Sequence, residues 1–498
     1  MNALVQPSAM VRCPGFNLSN LTGPANPLQR PAMQMINQTT TLNQLTNMIK
    51  RSISKWTGRI GISAALSLGV FLSTSAFAAL TVSPIFGTNM VLQEGTTVPV
   101  FGTATPGATV TVQFAGQNVS AVADSTGKWQ ANLASMSAST SPGSMIVSSG
   151  TSSITFTGVQ VGEVWLCSGQ SNMGKPLSYA DGSAPYIADA GNHNIRFFQM
   201  VGGSGPAKTN WTISTSTTAA SFSAVGYWMG LDLSEDRNVP IGLIQASHDG
   251  TAISHWELTD GGTGDDYTNM VKAIQPFAVR GVLWYQGESN GGDSSYQKEL
   301  TDMINEWRTD WGLLNLPFGV VQLPATKWNT AEFAQFNVSQ TVSNTYLIVT
   351  SDLPGSSQLH PTAKYLVGIR SSIGARGSVY GESIEYSGPV RQLPPGSFVA
   401  GSTAIINFTH LGNGLITGNG SAPSPVTLAA ASGNYVTATA LLVNNTMQAS
   451  TSRVPTPKHL QYGFGSTGNL FNAVNIPTEG GKSNVTVLPA SLFQVDFP

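Results

Sequence analysis

Short apolar runs that each close on a small-residue turn recur through the middle of the chain. Val164-Trp165-Leu166-Cys167 closes on Ser168-Gly169-Gln170-Ser171-Asn172. Leu243-Ile244-Gln245-Ala246 closes on Ser247–Thr251, and Val282-Leu283-Trp284-Tyr285 on Gln286–Asn290. Phe318–Gln322 and Tyr346–Thr350 are two more such runs. Runs of this length, bounded by turns, predict strands buried on both faces. Helical patterns lie between them. Phe222–Leu233 and Tyr267–Phe277 are moderate ones. The clearest has Tyr296, Leu300, Ile304, Trp307 and Trp311 at helical spacing, with Asp293 or Ser294 to cap it and Gly312 to stop it. A last helix is expected to open at His360-Pro361, with proline at the favoured first position. This alternation predicts an α/β fold with a mainly parallel sheet covered on both faces. Sites in such sheets lie at the carboxyl ends of strands, where Ser171, Gly250, Gln286 and the loop before His360 all fall.

The pattern changes towards both ends. Residues 80–160 carry short β-prone runs such as Thr109–Gln113 and Ser153–Thr157, punctuated by Pro106-Gly107 and Asp124–Gly127. They predict a small antiparallel sandwich of immunoglobulin-like size. Residues 383–498 repeat the theme and predict a second β-sandwich-like unit, with no function to be read in it. Residues 1–47 are polar and patternless and read as disordered. Met48, Lys50 and Arg51 then precede an apolar stretch, Ile60–Leu72, and the small residues Ser75–Ala79. That is a signal peptide over about 48–79, cleaved after Ala78 or Ala79. The apolar stretch is short for a membrane span. Met48 is read as the true start, with 1–47 as upstream sequence. The expected order is therefore leader and signal (1–79), β-sandwich (80–160), α/β domain (161–382) and second β-sandwich (383–498). The mature protein is expected to be secreted or periplasmic, with no stable membrane insertion.

Composition narrows the partners. Charged residues make up only 10% of 498, the net charge is −2, and no basic stripe occurs. Nucleic acid is therefore not expected as a partner. No Cys/His cluster has zinc spacing. Of two cysteines, Cys13 leaves with the leader, and Cys167 reads as a buried hydrophobe rather than a nucleophile.

A serine in a turn at the end of a buried strand suits a nucleophile, provided a base and oxyanion donors face it. For Ser171 the leading base is His360. Gly250 offers a backbone N–H and Gln286 a side-chain amide. His248 and His255 flank Gly250 and are placed to line the substrate pocket; His193, His410 and His459 lie away from the strand ends. A rival serine exists. Gly287-Glu288-Ser289-Asn290-Gly291 fits G-x-S-x-G after a strand, with Asp352 and His360 later in the chain. Read from the residues alone, Ser289 stays open.

Gly162–Met173 resembles the nucleophile block of the sialate O-acetylesterase family within the SGNH hydrolases. Trp284–Asn290 resembles its third block, Ile241–Ile244 with Gly250-Thr251 its second, and His360-Pro361 its last. Asn89–Gln93, Pro106-Gly107 and Gly127-Lys128-Trp129 resemble the family's N-terminal β domain. His410–Leu415 and Asn469–Asn472 resemble its C-terminal β segment. The resemblance runs from about residue 80 to the end. It implies a flavodoxin-like three-layer SGNH domain between β-sandwich domains. It implies Ser171 as nucleophile, His360 as base, and oxyanion donors from the Ser171 backbone, Gly250 and Gln286. No metal or organic cofactor is implied. Asn172, Asn290 and His248 are taken as substrate-binding candidates. The implied activity is removal of O-acetyl groups from carbohydrate, with sialic acid as substrate. Acetylated xylan or another acetylated glycan is the same-class alternative, and an inactive, glycan-binding hydrolase fold the other class. Two departures stand out. Asp249 replaces the first of two glycines in the second block. The positions three and two before the histidine, where the pattern places an acid, are Ser357 and Gln358. Glu288 is the provisional acid; Asp352, or a dyad braced by Gln358 or a carbonyl, are the other readings.

Overall fold

The structure, a computed structural model, describes residues 79–205, 210–324 and 329–498. The leader and signal peptide expected over 1–79 lie, except for Ala79, outside the described residues. After a two-residue strand, Thr81–Val82, come β1 (Val91–Gln93), β2 (Val98–Thr103), β3 (Thr109–Phe114), β4 (Gln117–Val122), β5 (Lys128–Leu133), β6 (Ser139–Ser149) and β7 (Ser152–Gly169). Alternation governs them: β3 buries Val110, Val112 and Phe114, and β5 buries Trp129, Ala131 and Leu133. Antiparallel pairs β3–β4, β3–β6 and β6–β7 build one sheet, and β2–β5 another.

β7 then changes partners. While its pairing with β6 runs out at Val161, it pairs in parallel with β1 at Gln160–Gly162, and from Glu163 it enters the central sheet. The boundary expected at 160–161 falls inside this strand. A single buried apolar cluster runs across it, from Ile85 to Ala375.

The central elements are α1 (Ser171–Gly174), β8 (Ile195–Val201), α2 (Ala224–Arg237), β9 (Ile241–Ser247) and β10 (Gly281–Tyr285), followed by α3 (Tyr296–Trp311), β11 (Phe318–Val321), α4 (Asn329–Thr341), β12 (Thr345–Ile348) and α5 (Tyr365–Ser378). Strands lie in the order β8-β9-β7-β10-β11-β12, and every neighbouring pair is parallel. Both faces of the inner strands are covered, so β9 and β10 are buried along their whole length. Covering them falls partly to α3, whose inward face carries Tyr296, Leu300, Met303, Ile304, Trp307 and Trp311. Each large apolar side chain so buried contributes about 1.5–3 kcal/mol.

Helix boundaries depart from expectation for local reasons. α3 ends at Gly312 as its pattern predicts, with φ +68°. It starts at Tyr296 without a side-chain cap, because Asp293 accepts from the Ser295 N–H instead. Tyr267–Phe277 forms a π turn and a 3-10 turn rather than one helix, and the last turn ends at Ile274, two residues before Pro276. α5 opens at Tyr365, not Pro361. The Lys364 N–H is bonded to the Thr362 carbonyl, and the Lys364 side chain is fully buried, so the chain turns inward before the helix begins.

Beyond α5, a two-stranded pair (Val390–Arg391 with Phe408–Thr409), two four-stranded antiparallel sheets and one three-stranded sheet follow. They hold a separate buried cluster, from Ala404 to Phe497. A third cluster joins Ile369 and Ile373 of α5 to Val474, Ile476, Val485 and Leu488.

Candidate active site

Strand register brings the candidate loops together. Ser247 of β9 and Tyr285 of β10 both lie opposite Gly169, the last residue of β7. Gly169 has φ +132°, and a Cβ there would stand 2.2 Å from the Tyr285 carbonyl oxygen. Only glycine lets β7 turn out of the sheet this close to β10. The next N–H, from Gln170, donates to that same carbonyl at 3.0 Å, and Ser171 opens α1.

Ser171 Oγ lies 2.8 Å from His360 Nε2. The two residues are 189 apart in sequence, and the sheet brings them into one hydrogen bond. The His360 carbonyl accepts from the Tyr179 hydroxyl at 2.7 Å. Burial lowers the imidazole's affinity for a proton; Lys175 and Lys364 push the same way, and Asp249 opposes them. A ring that stays neutral at neutral pH is what a general base requires.

The N–H groups of Ser171 and Gly250 have no hydrogen-bond partner among the described residues. Gly250 sits at φ +77°, with open space where a side chain would stand. Gln286, expected as the third donor, is turned inward. Its Nε2 donates to Thr251 O (3.2 Å) and Asn290 Oδ1 (2.9 Å), and its Oε1 accepts from the Tyr296 hydroxyl (3.0 Å). Both N–H bonds are spent, so this side chain braces the loop and has none left for an oxyanion. Asn290, expected to touch substrate, has its Oδ1 fixed by Gln286 and by the Ile253 N–H, each at 2.9 Å. Its Nδ2 makes one long contact, 3.4 Å to Asp293, which leaves an N–H for a ligand. The rival Ser289 donates to the Gly250 carbonyl at 3.1 Å, and no histidine among the described residues bonds it.

No carboxylate among the described residues reaches His360. Glu288, the provisional acid, accepts instead from Asn172 Nδ2. Asp352 is clamped by two bonds from Arg370, at 2.7 and 2.6 Å. Among the described residues, neither Gln358 nor a backbone carbonyl bonds the His360 ring either, so the bracing expected for a dyad is not there; the ring's one bond is to Ser171. Asn172 is also not where substrate could reach it. It is 2% exposed, its Nδ2 also donates to the Leu359 carbonyl at 2.9 Å, and its Oδ1 accepts from Lys364 Nζ at 2.5 Å. Burial pushes the Glu288 carboxyl up and the Lys364 ammonium down to about 7, each opposed by the charge of the other. Sequence reasoning misses Lys364; the available signal was a lone lysine between Ala363 and the apolar start of α5.

His248 follows β9 directly. Both oxygens of Asp266 lie 2.9 Å from its Nδ1, and about a third of its side chain is exposed. His255, Asp265 and Asp266 bring metal-ligand-type atoms within 4.8 Å of one another, but both acids already bond histidines. Cys167 is fully buried, and burial pushes its thiol up to about 12, which removes it as a nucleophile.

Residues 161–371 match the family model described as carbohydrate esterase, sialic acid-specific acetylesterase. Sialate O-acetylesterase from Homo sapiens is 28% identical over 397 residues, covering 65% of this chain and 75% of its own. The Mus musculus enzyme is 26% identical over 425 residues, covering 64% and 77%. The matched residues, 161–371, form a domain of this esterase family. A crystal structure of a carbohydrate acetylesterase from Xanthomonas citri superposes with a TM-score of 0.74 at 29% identity, covering 84% of this chain and 99% of that one. The esterase domain and the sialate O-acetylesterase relatives make this chain a carboxylic ester hydrolase, which favours the enzyme over the glycan-binding reading. The matched span holds the Ser171–His360 pair and every loop described above.

Proposed function

We propose that this protein removes O-acetyl groups from carbohydrate by a Ser171–His360 dyad, with O-acetylated sialic acid as substrate. The observation that carries the reading is the 2.8 Å contact between Ser171 Oγ and His360 Nε2 at the carboxyl end of β7. His360 takes the hydroxyl proton as Ser171 attacks the acetyl carbonyl carbon. The N–H groups of Ser171 and Gly250, with Asn290 Nδ2 in place of Gln286, face the developing oxyanion. Collapse breaks the bond to the sugar oxygen, which leaves with the proton from His360. Water, deprotonated by His360, then attacks acetyl-Ser171; the bond to Ser171 Oγ breaks, His360 returns the proton to that oxygen, and acetate is released.

The fold reading goes with this. With β8 set aside as an added edge strand, the order is β9-β7-β10-β11-β12, or 2-1-3-4-5 by position in the chain, which is the flavodoxin-like order. That supports an SGNH domain between β-sandwich modules. Secretion or a periplasmic location rests on the signal-like segment around Ile60–Ala79.

Acetate release from 9-O-acetyl sialic acid and from acetylated xylan tests the substrate. Faster turnover of the sialic acid, by an order of magnitude in kcat/KM or more, supports the proposal. A preference for xylan of that size would move the substrate to the neutral-glycan alternative.

A further inference from the structure

Six residues, Leu359 to Lys364, carry His360 into the site, and both ends of that segment are bonded to one side chain. Asn172 Nδ2 donates to the Leu359 carbonyl at 2.9 Å, and Asn172 Oδ1 accepts from Lys364 Nζ at 2.5 Å. The remaining N–H of Asn172 goes to Glu288. These bonds exhaust the amide's two donors and occupy its acceptor. They also fix its orientation, because a flipped amide would set its oxygen against the Leu359 carbonyl oxygen. The unit is well buried: Asn172 is 2% exposed and Lys364 is 0% exposed. Lys364 Nζ lies 4.9 Å from the ring centre of Tyr285, the residue that flanks Gly169. Asn172 follows Ser171 directly and Leu359 precedes His360 directly. The clamp is therefore one peptide away, on each side, from the 2.8 Å Ser171–His360 contact.

We propose that Asn172, anchored by Lys364 and Glu288, is the positioning residue of this site, holding the His360 segment against the Ser171 turn in the absence of a carboxylate on the imidazole. This rests on the Ser171–His360 reading. In a triad the acid holds the ring's orientation and stabilises imidazolium. Here the first task passes to a buried amide that grips the loop, and the second goes unfilled. Glu288 serves as an acceptor for Asn172 and a counter-charge for Lys364, without touching His360.

The test is p-nitrophenyl acetate hydrolysis by wild type, Ser171→Ala, Asn172→Ala, Lys364→Met, the Asn172→Ala/Lys364→Met double variant and Glu288→Gln, with thermal melting of each. Loosening the segment by a fraction of an ångström or more should lower kcat about 100-fold in Asn172→Ala, with KM within about threefold. Lys364→Met should fall in the same way. The double variant should fall no more than about threefold below the worse single variant, as expected for members of one unit. Glu288→Gln, which keeps an acceptor for Asn172, should cost about tenfold or less, against the roughly 10⁴-fold loss of a triad deprived of its acid. A kcat for Asn172→Ala within threefold of wild type would overturn the proposal, as would a loss confined to KM or a loss of a thousandfold in Glu288→Gln. If Asn172→Ala does not fold, Lys364→Met, which keeps most of the side-chain volume, decides on the same criteria. Activity surviving in Ser171→Ala would instead sink the serine reading itself, whatever the other variants do.

Discussion

Lacking an acid partner, His360 has neighbours that disfavour its charged form: burial first, then Lys175 and Lys364, against Asp249 alone. Its proton affinity in the folded protein lies below the ordinary histidine value of about 6.5. Since the base must be neutral, kcat/KM should rise with pH through a midpoint below about 6.5 and stay level above it. Lys175→Met should move that midpoint up and Asp249→Asn should move it down, as read from pH–rate profiles with p-nitrophenyl acetate. A wild-type midpoint above 7 would contradict this electrostatic account. Ser171, Gly250 and His360 were legible in the sequence because each closes or follows a buried strand at the same edge of the sheet. The directions of Gln286, Asn172 and Glu288 were not. A place in a strand-end loop says which edge a residue reaches, but not which way its side chain turns. Those turns are set by partners 4 to 192 residues away.

Elements that meet at the site leave almost no room at one position, Gly169. A methyl group there would meet the Tyr285 carbonyl at 2.2 Å, in a backbone conformation that side chains rarely adopt. Gly169→Ala should therefore destabilise the fold by at least about 2 kcal/mol and lower activity with it. Urea unfolding measures the first effect. An unchanged midpoint would show that the β7–β10 contact relaxes freely. Strands and the long helix α3 were readable because continuous apolar runs and a helical stripe are strong periodic signals. The opening of α5 was not, because Pro361 favours a helix start locally while burial of Lys364 and its bond to Asn172 override that preference.

Across the whole molecule, β7 is the shared member. It belongs to the antiparallel sheet up to Val161 and to the parallel sheet from Glu163, so its pattern changes from alternating to continuous within one strand. That change reads as a domain boundary in sequence and is a change of neighbours in structure. Glu163 sits at the crossover, 0% exposed, bonded by Arg280 at 2.7 and 3.0 Å and by Gln93 of β1 at 3.0 Å. Arg280→Met would leave that carboxylate short of its main partner and should cost about 3 kcal/mol in unfolding free energy. A loss under 1 kcal/mol would mean that Arg237, 3.9 Å away, takes over the pairing. The two flanking β regions thus differ: the first shares one continuous core with the site-bearing sheet, and the second keeps a core of its own and meets α5 through a smaller third cluster. What the molecule brings together is one serine and one histidine, and the most direct check is to trap the nucleophile. Treatment with diethyl p-nitrophenyl phosphate followed by peptide mass spectrometry should place the diethyl phosphoryl group on Ser171, with esterase activity lost in proportion. Label on Ser289 instead, or full inactivation with Ser171 unmodified, would contradict the account.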